Sequence, residues 1–279
     1  MAETKMNVQL IAHTQLNEKF RSQFDYELRG GYDGDQPYYL NSLEELEATD
    51  GQAIALTAIR TCYSANKPSE IVAKEGVKYF GSKASDGGAG TDADRLFRHI
   101  FASKHTSTLE HLTFTFAIEG VSRALLAQLT RHRVGFSFSV QSQRYVRMGS
   151  DDKIGGFDYV VPGKVEYGSE QVHFQRREMF DGVAYGFADE VFREAMDNAQ
   201  YYYDMLRKSG VPAEDARAVL PNAAATNLVM TANLRSLLEF YSKRKPGKGA
   251  QKEIAELAEA LRQEVVNVEP WVDQFFEEV

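Results

Sequence analysis

The residues that decide the fold are HLTFTFAIEGVSRALLAQLTRHR, positions 111–133. In the first half, Leu112, Phe114, Phe116 and Ile118 alternate with Thr113, Thr115, Ala117 and Glu119. That period of two is a half-buried strand, with Gly120 reading as its end. From Ser122 to His132 the period lengthens. Leu125 and Leu129 take one side, while Gln128, Arg131 and His132 fall at i, i+3 and i+4 on a neighbouring stripe, so a helix is expected. A strand thus feeds a helix that ends in a cationic triplet. The pattern breaks at Gly135, and the serine-rich run that follows reads as a loop or an irregular strand.

Working outward, Val8–Ala12 reads as a short strand. Ser42 with Glu45 suggests a capping box opening a short helix at LEELEA, and Ala53–Cys62 is apolar enough for a buried helix. Residues 29–38, RGGYDGDQPY, look like a turn-rich excursion, and residues 82–92, SKASDGGAGTD, like a mobile surface loop. FDYVVP, positions 157–162, reads as a strand. The C-terminal third reads as helical. One helix carries Phe187, Val191, Ala195, Tyr202 and Leu206 and stops at Lys208 and Gly210. A short one starts at Pro212 and ends before Pro221. A third is expected over Thr226–Lys243, and a fourth is striped by Ile254, Leu257, Leu261 and Val265. Nothing between these elements looks like a linker, so residues 1–279 read as a single α+β domain.

At 279 residues and 43% hydrophobic, the chain has enough apolar surface for a sizeable core. A formal net charge of −8 argues against nucleic acid as a partner. Any anion site is then a local cluster in an acidic whole. The single cysteine, Cys62, excludes an internal disulfide and a paired-cysteine metal site and fits a reducing cytoplasm. It reads as a buried structural thiol, because no catalytic companion accompanies it. No apolar run approaches the roughly 20 residues of a membrane span, and the N-terminus lacks a signal-peptide pattern. A soluble, cytoplasmic protein is expected.

Three groups of residues carry possible chemistry. Arg131, His132, Arg133 and Arg144 surround Ser137, Ser139 and Ser142, with Gly135 allowing close backbone approach. Cations at a helix end commonly just complement the dipole. Here the added hydroxyls and the planar fork of Arg144 are the parts of a phosphate pocket. In HTSTLEH, His105, Glu110 and His111 raise a zinc reading, with a metal-dependent nucleotide hydrolase as its consequence. The spacing of six does not place both histidines on one helical face, and no HExxH pattern is present, so no metal is expected. The third group is Arg217, Asn233, Arg235, Glu239 and Arg244. Asn233 and Arg244 share a helical face about 16 Å apart, enough to span part of an extended ligand. The plain alternative for Arg235 and Glu239 is a surface ion pair.

In this order, these residues resemble the flavin-dependent thymidylate synthases. That family's signature is Arg-His-Arg, seven residues, then serine and, two residues on, arginine. Here eight residues separate Arg131-His132-Arg133 from Ser142 and Arg144, a departure of one. HTSTLEHLTFTF resembles the family's His-x-Thr/Ser-x-x-Glu-His segment entering a strand. AIRTCYS, ARAVLP and NLRSLLEFYSKR match in order, so the resemblance covers most of residues 53–244. It implies a single α+β domain with a small antiparallel sheet and several long helices. Loop insertions beyond the family core are expected near 17–50, 80–93 and 149–170.

The resemblance also implies a methyltransferase chemistry. In it, dUMP is methylated to dTMP with methylenetetrahydrofolate as carbon donor, NADPH as reductant and bound FAD, in a homotetramer with shared active sites. By position, Gln128, Arg131, Gln141, Ser142, Gln143, Arg144, Arg217 and Arg244 would bind dUMP. His105, Ser107, Arg131, His132, Arg133, Asn233, Arg235 and Glu239 would line the FAD site, though the family commonly has asparagine where Glu239 stands. Arg244 would be catalytic, stabilising negative charge on the uracil as an oxyanion hole does. The family uses no enzyme cysteine against the ring, which agrees with an isolated Cys62. A regulatory homologue that binds nucleotide or flavin without methylation is the other alternative.

Overall fold

The computed structural model describes residues 1–22, 43–165, 168, 170–175 and 183–279. Its strands are β1 (Asn7–His13), β2 (Thr113–Ser122), β3 (Phe136–Val140), β4 (Val172–Gln175), β5 (Val183–Gly186) and β6 (Ala225–Asn233). The helices are α1 (Asp50–Thr61), α2 (Ile71–Phe80), α3 (Asp92–Ala102), α4 (Arg123–Leu129) and α5 (Ala188–Lys208), followed by α6 (Ala213–Ala216), α7 (Leu234–Arg244), α8 (Lys252–Val268) and α9 (Asp273–Glu278). Strands β1, β2, β6 and β3 form an antiparallel sheet in that order, and β4 pairs with β5.

Strand β2 follows its alternation. Phe114, Phe116 and Ile118 are buried in the main core with Leu237, Phe240, Leu257 and Leu261 of α7 and α8. Gly120 does not end the strand. It sits at φ +65° within a bulge between Ile118 and Val121, and pairing resumes to Ser122. A Cβ there would stand 2.5 Å from the Lys5 carbonyl oxygen, so glycine is what lets the N-terminal segment approach.

The expected helix over Ser122–His132 is shorter, Arg123–Leu129, with Ser122 as its N-cap and Thr130 as its C-cap. The chain must turn there, because the serine-rich run is strand β3, registered Phe136↔Ala232 to Val140↔Leu228 on β6. The larger correction is at Thr226–Lys243. Its first half is β6, whose residues alternate between buried and exposed, and only Leu234–Arg244 is helical. Thr226, Val229 and Thr231 are β-branched, and Asn233 caps the helix that follows, so the stretch changes period at Asn233.

FDYVVP forms isolated bridges from Tyr159 to Glu3 and Ala224, with no strand. Cys62 is exposed rather than buried, because it caps the C-terminus of α1. On α5 the buried residues are Met196, Gln200 and Tyr203, while Tyr202 of the expected stripe is 58% exposed. Tyr203 belongs to a second, smaller core with Met148, Phe157 and Ala216. The 82–92 loop is pinned: Arg98 donates to the Ala89 carbonyl at 3.0 Å, and Asp92 accepts from Ser85 and Arg95. Leu43–Glu47 form turns, not a helix. The capping residue Ser42 and the 29–38 excursion lie outside the described residues, as do parts of the insertions expected near 17–50 and 149–170.

Candidate functional site

Helix α7 organises the first half of the site. Asn233 caps it, with Oδ1 accepting from the Ser236 amide at 2.9 Å, while its own amide donates to the Gly135 carbonyl at 3.2 Å. Gly135 has φ +72°, and a Cβ there would come within 2.1 Å of Ser236 Oγ and 2.6 Å of Asn233 Nδ2. The turn after Arg131-His132-Arg133 is therefore pressed onto the start of α7. Farther along, the His132 ring meets Phe240 edge-on with centroids 4.9 Å apart, and Arg244 Nε donates to His132 Nε2 at 3.4 Å. This contact joins positions 112 apart in sequence. Burial first, then the facing Arg244, holds His132 below its ordinary pKa, which keeps Nε2 free to accept. Arg131 and Arg133 are exposed, and among the described residues no carboxylate pairs with either.

The same helix gathers the HTSTLEH segment, whose Thr106–His111 forms a 3₁₀ turn carrying Ser107 on an exposed position. The Leu234 amide donates to the Leu112 carbonyl at 2.8 Å, and Arg235 pairs with Glu110 at 2.5 Å. The Arg235–Glu239 pair considered from spacing does not form; Glu239 takes Lys243 at 2.6 Å instead. His105 Nδ1 lies 2.9 Å from the Tyr63 hydroxyl. His105, Ser107, His132, Asn233, Arg235, Glu239 and Arg244 thus lie on α7 or on segments packed against it. Glu110 and His105 are engaged in these contacts, and no group of three metal-ligating side chains converges among the described residues.

The remaining expected residues form a second set. The Gln141 amide donates to the Asn227 carbonyl at 2.9 Å, fixing the chain as it leaves β3. Ser142 Oγ accepts from the Arg144 amide at 3.3 Å, and Gln143 is buried. Arg144 pairs with Glu214 at 3.0 Å, and Arg217 Nε donates to the Glu214 carbonyl at 2.9 Å, so both guanidiniums meet at one residue. Arg123, which motif spacing missed, faces Arg217: burial and then that like charge hold its pKa below the ordinary value. The only signal for it was its place at the first turn of the helix leaving β2. Gln128 Nε2 donates to Gln251 Oε1 at 2.5 Å. Among the described residues, no hydrogen bond or ion pair joins this set to the α7 set.

A cavity of ≈ 1020 Å³ lies between Val160–Lys164 and Pro246–Glu256, with Gln251 and Glu253 in its wall. Another, ≈ 620 Å³, is lined by Glu190, Glu194, Asp197 and Asp204. These four carboxylates outnumber the Arg193 guanidinium and the Met1 ammonium that share the wall, and the net negative lining disfavours a nucleotide.

Residues 45–271 match the family model described as thymidylate synthase complementing protein. A flavin-dependent thymidylate synthase of Geobacter sulfurreducens is 38% identical over 223 residues, covering 80% of this chain and 81% of that protein. One from Clostridium tetani is 35% identical over 63% of this chain and 68% of its own length. Among solved structures, the UMP/dUMP methylase PolB from Streptomyces cacaoi bound with 5-Br dUMP superposes with a TM-score of 0.62 at 21% identity. The match covers 99% of this chain and 97% of that one, a likeness of fold.

Proposed function

The chain belongs to the thymidylate synthase complementing protein family, and from that premise we propose that it is a flavin-dependent thymidylate synthase, converting dUMP to dTMP with FAD, methylenetetrahydrofolate and NADPH. The observation that carries the reading is the His132–Arg244 contact, which brings two motif blocks 112 positions apart into one site. The alternatives, a metal-dependent hydrolase and a binding homologue without methylation, find no comparable support.

The donors around α7 fit a flavin dinucleotide. Arg131 and Arg133 offer uncommitted positive charge for a pyrophosphate, and Ser107, Asn233 and Arg235 add hydrogen-bonding groups along one helix. Bound there, FAD would supply the hydride chemistry that no side chain of this protein provides. The protein's own residues do the rest. Arg144, Arg217 and Ser142 hold the dUMP phosphate, and Gln128 and Arg131 orient the nucleotide. Arg244 stands beside the uracil, where its guanidinium stabilises negative charge built up when C5 becomes nucleophilic. Neutral His132 accepts a hydrogen bond from Arg244 Nε and leaves the two Nη groups for the substrate. Cys62, exposed at the end of α1, takes no part.

Among the described residues no hydrogen bond or ion pair joins the two residue sets within one chain, which supports active sites completed by neighbouring subunits of a homotetramer. No helix among the described residues is long and apolar enough to cross a membrane, and a cytoplasmic location fits the single thiol. The test is incubation with dUMP, methylenetetrahydrofolate and NADPH. dTMP should form and should disappear when any one of the three is omitted; its absence from flavin-loaded protein would refute the reading.

A further inference from the structure

The first residues of α8 touch both ends of α4. At the near end, Glu253 accepts twice from Ser122: Oε1 from the amide at 2.7 Å and Oε2 from the hydroxyl at 2.6 Å. Ser122 is buried, and its Oγ in turn accepts from the Leu125 amide at 3.0 Å, capping α4. At the far end, Gln251 Oε1 accepts from Gln128 Nε2 at 2.5 Å. Helix α4 has only seven residues, too short to hold itself. Its N-terminal turn carries Arg123 and its C-terminal turn Gln128, just ahead of Arg131. Both Gln251 and Glu253 also line the ≈ 1020 Å³ cavity.

We infer that Gln251 is a positioning residue for the nucleotide, a clamp from the start of α8 that aims the Gln128 amide, while Glu253 holds the same short helix at Ser122. This rests on the reading of Gln128 as a dUMP contact. An amide side chain has two rotamer ends that nothing in α4 distinguishes, except a weak reach of Nε2 to the Ala124 carbonyl at 3.4 Å. In the structure Gln251 presents its Oε1, which draws Gln128 Nε2 toward α8 and leaves Gln128 Oε1 for a ligand. The carboxylate of Glu253, bound to both donors of Ser122, ties the helix start to the element that follows Arg244 by only a short loop. One short segment thus ends at Arg244, the residue placed beside the uracil, and begins again at Gln251, which holds Gln128.

The test compares dUMP and FAD affinity by fluorescence titration, with KM and kcat, for Gln128→Ala, Gln251→Leu, Gln251→Glu and the double variant Gln128→Ala/Gln251→Leu. Losing one oriented hydrogen bond predicts a roughly three- to tenfold rise in Kd and KM for dUMP in Gln251→Leu. FAD affinity and Tm should stay at wild-type values. Gln251→Glu keeps the acceptor and should restore the affinity. The double variant should bind no more weakly than Gln128→Ala alone, because the clamp acts through Gln128. Wild-type dUMP affinity in Gln251→Leu alongside a weakened Gln128→Ala overturns the clamp. Wild-type affinity in Gln128→Ala overturns the underlying assignment of Gln128. Equal loss of FAD and dUMP binding with a lowered Tm would make Gln251 a purely structural residue and also overturns the inference.

Discussion

Replacing Arg244 by alanine separates two roles that the geometry assigns to one side chain. Arg244 is the last residue of α7, where a cation complements the helix dipole by about 0.3–1 kcal/mol. Among the described residues its side chain makes one hydrogen bond, 3.4 Å to His132, which is long, so little more stability resides there. Loss of a positioned donor to developing negative charge, by contrast, costs on the order of 100- to 1,000-fold in rate. Arg244→Ala should therefore melt within a few degrees of wild type, bind FAD and accept electrons from NADPH, yet barely form dTMP. Lysine should rescue poorly, because a point charge cannot both donate to His132 and present a planar fork. The assay follows dTMP formation and NADPH-driven flavin reduction in the same preparation. Near-normal dTMP production by Arg244→Ala would remove this residue from the mechanism.

The geometry also sets the outcome of five other substitutions. Gly135→Ala forces a Cβ toward Ser236 and Asn233 at positive φ; it should cost about 1–3 kcal/mol in a denaturant melt and weaken FAD in titration. Ser142→Ala should weaken dUMP binding in calorimetry, whereas Cys62→Ala should turn over like wild type; loss of dTMP formation in a folded, flavin-loaded Cys62→Ala protein would contradict a mechanism without an enzyme nucleophile. His132, held below its ordinary value of 6.5, favours the folded state above that pH and loses this contribution as pH falls through its lowered pKa. Wild type should thus lose Tm relative to His132→Gln on acidification. Burial raises the pKa of Glu269, which accepts from Thr49 and Trp271, so its contribution is present at acid pH and lost as pH rises through that raised value. The Tm difference between wild type and Glu269→Gln should accordingly narrow as pH rises above the ordinary carboxylate value.

Much of the architecture was legible because periodicity reports burial directly. Phe114, Phe116 and Ile118 alternate because one side of β2 meets the core, and Ile254, Leu257 and Leu261 are spaced for a helix that packs on it. The reading failed where one run holds two periods. Thr226–Lys243 contains both, and only the N-cap at Asn233 marks the change; a capping residue inside a supposed helix was the overlooked sign. Gly120 misled because glycine can bulge a strand as well as end one. Cys62 misled because membership of an apolar helix says nothing about the solvent exposure of its last turn. In the site, motif residues were readable by type and order, but their partners were not. Tyr63 beside His105, Glu214 between Arg144 and Arg217, and Arg123 facing Arg217 come from distant positions, and no local pattern encodes such meetings.

The proposed chemistry makes this chain a flavoprotein whose reoxidation depends on dUMP. The most direct measurement is the absorption spectrum of the purified protein with added FAD, reduced by NADPH and then mixed with methylenetetrahydrofolate with and without dUMP. A bound-flavin spectrum should bleach on reduction and, without oxygen, return only when dUMP is present, with dTMP formed in equal amount. Failure to bind flavin, or reoxidation without oxygen that is indifferent to dUMP, would contradict it.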